Sequence, residues 1–213
     1  MNNIDILYED DEIFIINKPS GLAVQGGANV SHSVDVDFAN QIGTKVYLVH
    51  RLDKDTAGLM IIAKNPSAAT KWTKLIAGKS VCKEYIAICF GKMPVKKGVI
   101  DEIIVQHGEQ KRAVTHYVVE KEIKTETGVL SQIRLLLETG RMHQIRIHLA
   151  KNGCPIAGDD LHGNFKINKI LKKNLGIKKL LLASVKLTIP FSNEKKVFEI
   201  PLPDYMCFKN DDE

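Results

Sequence analysis

The run Gly58 to Ala63, GLMIIA, limits the fold of this chain more than any other stretch, because six consecutive small or apolar residues belong in a core strand. Directly before it stands VHRLDKDTA, which puts His50, Arg51, Asp53 and Asp55 within six residues. An unpaired charge taken out of water costs several kcal/mol or shifts its pKa until it is neutral. The stretch is therefore either a well-satisfied turn or a site.

The surrounding sequence supplies an α+β frame. Short strands are expected over Ile4 to Tyr8 and Ile13 to Asn17, closed by the turn Lys18-Pro19-Ser20-Gly21. The polar stretch Ser31 to Gln41 can form a short helix, and Pro66 to Ala77 reads as an amphipathic helix that starts at a proline and stops at Gly78. Further strands are expected over Glu84 to Phe90, Ala113 to Val119, Ser131 to Leu137, Leu180 to Ile189 and Val197 to Ile200. Strands and helices do not alternate strictly, so a mixed, largely antiparallel sheet is expected rather than a doubly wound fold. At 213 residues the chain fits one large domain or two lobes around a shared cleft.

The formal net charge of +5 is compatible with a polyanionic partner but does not demand one. The lysine-rich segment Lys166 to Lys179 has Ile167, Ile170 and Leu171 at helical spacing and reads as a surface helix or insertion whose charge serves solvation, with a supplementary phosphate contact as the alternative. No apolar run reaches the roughly 18 residues that span a bilayer, so a cytoplasmic protein without a membrane partner is expected. Cys82, Cys89, Cys154 and Cys207 lack metal-finger spacing and are expected as free buried thiols.

A second charged cluster follows the strand that ends at Leu137: ETGRMHQIRIHLAKNGCP. A helix is expected between Thr139-Gly140 and Gly153, burying Met142, Ile145 and Leu149. Arg141, Gln144, His148 and Lys151 fall on the opposite side, with Arg146 at the border, suited to pairing with a partly buried carboxylate. His143 and His148 are five apart and no HExxH glutamate is present, so no metal site is expected. His50-Arg51-Leu52-Asp53 is not the HRD loop of a protein kinase: the aspartate is displaced by one and no Gly-rich loop precedes it.

Taken together, the segments resemble the RluA-type family of pseudouridine synthases, which isomerise uridine in RNA. The matching pieces are ILYEDDEIFIINKPSGLAVQGG, HRLDKDTAGLMIIAK, KEYIAICFG, ETGRMHQIRIHLAKNGCPIAGD and LLLASVKLTIP with a closing PLP. They run in the family's order over nearly the whole chain. The resemblance implies a single catalytic domain over residues 1–213, a roughly eight-stranded mixed sheet with a central catalytic cleft and flanking helices, and no metal or organic cofactor. Asp53 matches the catalytic aspartate, and Tyr85 the tyrosine that stacks on the uracil and helps remove the C5 proton. Arg146 matches the residue that pairs with the aspartate, and Arg51 the residue that helps hold the flipped nucleotide's place. His50, Arg141, His143 and Gln144 are added as RNA-binding residues, and His50 and Asp55 as residues that shape the loop. His162 stands where the family often has tyrosine and is read as a packing residue. The resemblance is to the family's catalytic domain without an S4-type RNA-binding module.

The reaction that the resemblance implies breaks the N1–C1′ glycosidic bond, turns the uracil and rebonds through C5. A carboxylate can assist by attacking C1′ or by taking a proton from C2′ to give a glycal. The base must first leave the stack, and aromatic stacking offsets part of that expense. The expected substrate is large-subunit (23S) ribosomal RNA and the expected state a monomer. A transfer-RNA synthase, a non-catalytic RNA-binding or ribosome-assembly protein, and a glycosidic hydrolase are the alternatives.

Overall fold

A computed structural model describes residues 3–27, 30–106, 108–191 and 194–208. These form ten strands and four α-helices, an α+β chain whose specified strand registers are all antiparallel. The chain divides into two compact units, Met1–Lys83 with Ser184–Ile200, and Glu84–Ala183 with Pro201–Glu213.

In the first unit, β2 (Ile13–Lys18) pairs with β1 (Asp5–Glu9) and with β4 (Ala57–Ala63). Every residue of β4 is buried, and the lack of polar alternation follows from cover on both faces. On one face Ile13, Ile15, Leu59 and Ile61 pack with Trp72 of α2 (Pro66–Ala77). From the neighbouring position Phe14 meets Phe38 of α1 (Val34–Ile42) edge to face, with ring centroids 5.2 Å apart. The two-residue β3 (Tyr47–Leu48) also pairs with β4, and β9 (Leu182–Phe191) pairs with β10 (Glu194–Glu199). Gly58 opens β4 at φ +109°, where a Cβ would lie 2.1 Å from the Ser184 carbonyl oxygen. Only glycine permits that approach.

In the second unit, β5 (Cys82–Phe90), β8 (Gly128–Leu137), β7 (Glu109–Thr125) and β6 (Lys97–Gln106) lie side by side in that order. Ile133 and Leu135 are fully buried, as their alternation predicts. Helix α3 (Gln144–Lys151) packs on β6 and β7, and α4 (Phe165–Leu175) follows.

Several expectations need correction. Met142 precedes α3 and is exposed, whereas Gln144 and His148, expected on the outer side, are buried. The reason is a polar contact surface: Gln144 Nε2 donates to Val114 O (3.0 Å) and Thr115 Oγ1 (2.9 Å), and His148 Nδ1 lies 3.0 Å from the same hydroxyl. A helix face can be interior without being apolar when the neighbouring strand supplies partners. The roughly eight strands expected become ten, with β3 and β6 the additions. Cys89 and Cys154 are buried, but Cys82 is half-buried and Cys207 exposed.

Candidate active site

Asp53 lies in the first unit, on the loop that enters β4. That loop is fixed by the preceding KPSG turn. Lys18, at the end of β2, is fully buried and donates from Nζ to the carbonyls of Pro19 (2.9 Å), Leu22 (2.8 Å) and Lys54 (2.9 Å). Gly21 N donates to Lys54 O and Ser20 Oγ to Asp55 O, so two loops far apart in sequence are stitched together around one ammonium group. Burial pulls the Lys18 pKa down to about 8, against the opposing charges of Asp55 and Asp53. The sequence reading took Lys18 for part of a turn. Its position at the end of the apolar strand IFIIN was the available signal, since a lysine there must either leave the core or be satisfied within it.

His50 shapes the same loop from its other end. Its Nε2 accepts from Ile61 N at 3.0 Å, which places the ring proton on Nδ1. Burial, with a smaller contribution from the charge of Lys83, lowers its pKa to about 3, so the ring is neutral at physiological pH. Thr56 N donates to Asp53 O and closes the turn, while Asp53 is half-buried and Arg51 exposed. The charge-rich stretch is thus a pinned loop with one arginine directed outward.

Tyr85, Arg146, Arg141, His143 and Gln144 lie in the second unit. Tyr85 sits buried in β5 opposite Leu135 of β8. Arg146 is buried in α3, and its guanidinium forms a two-point fork with Asp159: Nε to Oδ2 and a terminal nitrogen to Oδ1, both 2.8 Å. Asp159 also accepts from the backbone N–H groups of Leu161 (3.0 Å) and His162 (2.9 Å). Burial acts to raise the Asp159 pKa, but the hydrogen bonds from Arg146 and His162 and the guanidinium charge outweigh it and hold the carboxyl below its ordinary range. The border arginine expected from the helix pattern therefore does have a buried carboxylate. Asp159 itself was missed, although a carboxylate directly after the apolar stretch CPIAG needs a cation within reach.

The entry to α3 is shaped by Gln144, whose Oε1 accepts from Thr139 Oγ1 (2.7 Å) and Arg141 N (3.0 Å). With both amide hydrogens also bonded, this side chain is committed to the protein interior. Arg141 is exposed and donates from Nε to Arg112 O. His143, at φ +54° before the helix, places Nδ1 2.9 Å from His162 Nε2, so the residue read as packing has a specific polar neighbour. Among the described residues, no group of three or more His, Cys, Asp or Glu side chains could hold a metal ion, and no helix is long and apolar enough to cross a membrane.

Residues 12–151 match the model of the RNA pseudouridylate synthase family, a span that takes in Asp53, Tyr85 and Arg146. The chain belongs to this family. The ribosomal large subunit pseudouridine synthase C of Rickettsia bellii is 41% identical, over 76% of this chain and 58% of the relative. The ribosomal large subunit pseudouridine synthase D of Vibrio parahaemolyticus is 35% identical, over 95% of this chain and 68% of the relative. The chain thus spans little more than half the length of the first of these relatives. Among solved structures, human RNA pseudouridylate synthase domain containing 4 superposes with a TM-score of 0.74 at 27% identity, covering 94% of this chain and 89% of that one.

Proposed function

We propose that this chain converts specific uridines of large-subunit ribosomal RNA to pseudouridine. The observation that carries the reading is the family match, whose span contains HRLD, KEY and HQIR in the family's order. Asp53 supplies the carboxylate that acts at the ribose, either at C1′ or at the C2′ proton. Its backbone is held still by the Lys18 clasp, so little reorganisation is needed when the nucleotide arrives. Tyr85 provides the aromatic face and the hydroxyl that act on the uracil ring. Arg146, held in direction by Asp159, supplies a charge that no physiological pH removes. Arg51 and Arg141, both exposed, contact the RNA, whereas His50 and Gln144 hold the backbone from which the contacts are made and His143 pairs with His162 beside them. RNA of the large ribosomal subunit as substrate puts the reaction in the cytoplasm.

The test is a map of carbodiimide-dependent reverse-transcription stops in total RNA from cells with the gene, without it, and with Asp53→Asn in its place. Loss of a large-subunit site on deletion, unrestored by the variant, is the expected result. An unchanged map overturns the reading, and a lost stop in transfer RNA alone moves the substrate there.

A further inference from the structure

We propose that the outer face of α4, with Leu161 and Phe165 at its leading end, is a docking platform for the RNA around the target nucleotide. The inference rests on the RNA-modifying reading for its substrate, but on its own geometry for its place. Residues 161–179 contain six lysines, Lys166, Lys169, Lys172, Lys173, Lys178 and Lys179, and neither aspartate nor glutamate. Along α4, Lys166, Lys169 and Lys173 fall at i, i+3 and i+7 and share one exposed face, while Asn168 and Leu171 turn inward.

Solvation explains charge, but not what lies among it. Phe165 is 75% exposed, Leu161 65% and Ile170 50%, all beside this lysine face. Cations interleaved with an exposed aromatic ring match what flexible RNA offers, phosphates for the ammonium groups and a base face for the ring. The charge complementarity selects a polyanion, and the exposed ring selects one that carries bases.

The platform is also tied to Arg146. Asn168, inside α4, accepts from Gly158 N through Oδ1 (3.2 Å) and donates from Nδ2 to Asp159 O (2.9 Å). Gly163 N donates to the same carbonyl at 2.9 Å. Asp159, whose carboxylate forks Arg146, is thus the residue from which α4 hangs. RNA seated on the lysine face is held in a fixed relation to that arginine.

The test measures binding of the full chain to a large-subunit ribosomal RNA transcript across salt, together with single-turnover conversion at saturating RNA. Lys166→Glu, Lys169→Glu and Lys173→Glu combined should weaken binding at least about tenfold near physiological salt, and flatten the slope of log K against log salt by about 2 to 3, at about 0.7–0.9 per phosphate contact. Phe165→Ala should weaken binding about fivefold or more through lost stacking. Saturated conversion should stay within about twofold, because none of these side chains touches the reacting atoms. A control with Lys45→Glu, Lys74→Glu and Lys195→Glu makes the same charge change in the first unit and should lose less affinity. Equal losses in both triples, or an unchanged slope in the α4 triple, overturn the platform. A triple lysine-to-glutamine variant of α4 should flatten the slope similarly, so a folding defect of the charge reversal does not decide the matter. Failure of the wild-type chain to convert any uridine sinks the functional reading alone, since the salt slopes still report on α4.

Discussion

Lys18 in the first unit and Arg146 in the second are both buried cations, but the groups around them differ in kind. Three neutral carbonyls surround the Lys18 ammonium, and a carboxylate held by two backbone N–H groups faces the Arg146 guanidinium. Carbonyl dipoles stabilise a charge without neutralising it, so desolvation wins and the lysine holds its proton less firmly. The carboxylate fork works the other way, keeping Asp159 ionised and Arg146 fixed in direction. One arrangement joins loops, and the other aims a permanent charge.

The largest effect should come from breaking the fork. Asp159→Ala leaves a buried guanidinium uncompensated, and removing one partner of such a pair costs about 3–5 kcal/mol. Urea unfolding would show this as a lower midpoint. Arg146→Leu strands the buried Asp159 carboxylate in turn, so it should destabilise by a similar amount while lowering turnover far more than RNA affinity. Equal losses in rate and affinity would make Arg146 chiefly a phosphate contact.

Titration separates the two arrangements next. Lys18 has a folded pKa below its unfolded one, so between about pH 8 and 10.5 the unfolded chain binds more protons and stability should rise with pH. The gain is about 3 kcal/mol at most for a shift of this size. Lys18→Met should abolish the rise, and by stranding three carbonyl acceptors should cost about 1–3 kcal/mol at neutral pH. His50, in the same unit, should act at the acid end. The unfolded ring protonates below its ordinary 6.5 while the folded one resists to about 3, so stability should fall as pH drops through that window. Denaturant midpoints of wild type and His50→Gln across pH 3–7 check this, the variant lacking that part of the slope.

The smallest effect should come from an exposed pair. Lys71→Ala removes a contact to Glu12 at 2.7 Å, but both side chains are exposed, and the loss should stay below about 0.5 kcal/mol. A larger loss would mean that Glu12 depends on Lys71 to keep its hydrogen bond from Trp72 Nε1.

Helix α2 matches its expected bounds, Pro66–Ala77, because Asn65 caps it, with its side chain accepting from Ala68 N, and proline occupies the first turn. Strand β6 escaped the sequence reading. Its residues, KGVIDEIIVQ, do not alternate in polarity: Ile100 and Ile104 are buried, but Val99, Ile103 and Val105 on the other face are exposed along this edge, so apolar residues fall on both faces and hide the period. Helix α3 was anticipated but its orientation was not, since Thr139, Thr115 and the Val114 carbonyl make an interior out of hydrogen bonds.

By itself the sequence determined most of the strands and helices, that the charges before Gly58 needed partners, and the family whose motifs it carries. Those properties are local, or lie in the order of residues along the chain. Only the tertiary structure decided which partners the charges take: Lys18 for a loop carbonyl 36 residues away, and Asp159 for an arginine 13 residues earlier. Satisfying a buried charge depends on distance and direction in space, and linear spacing encodes neither.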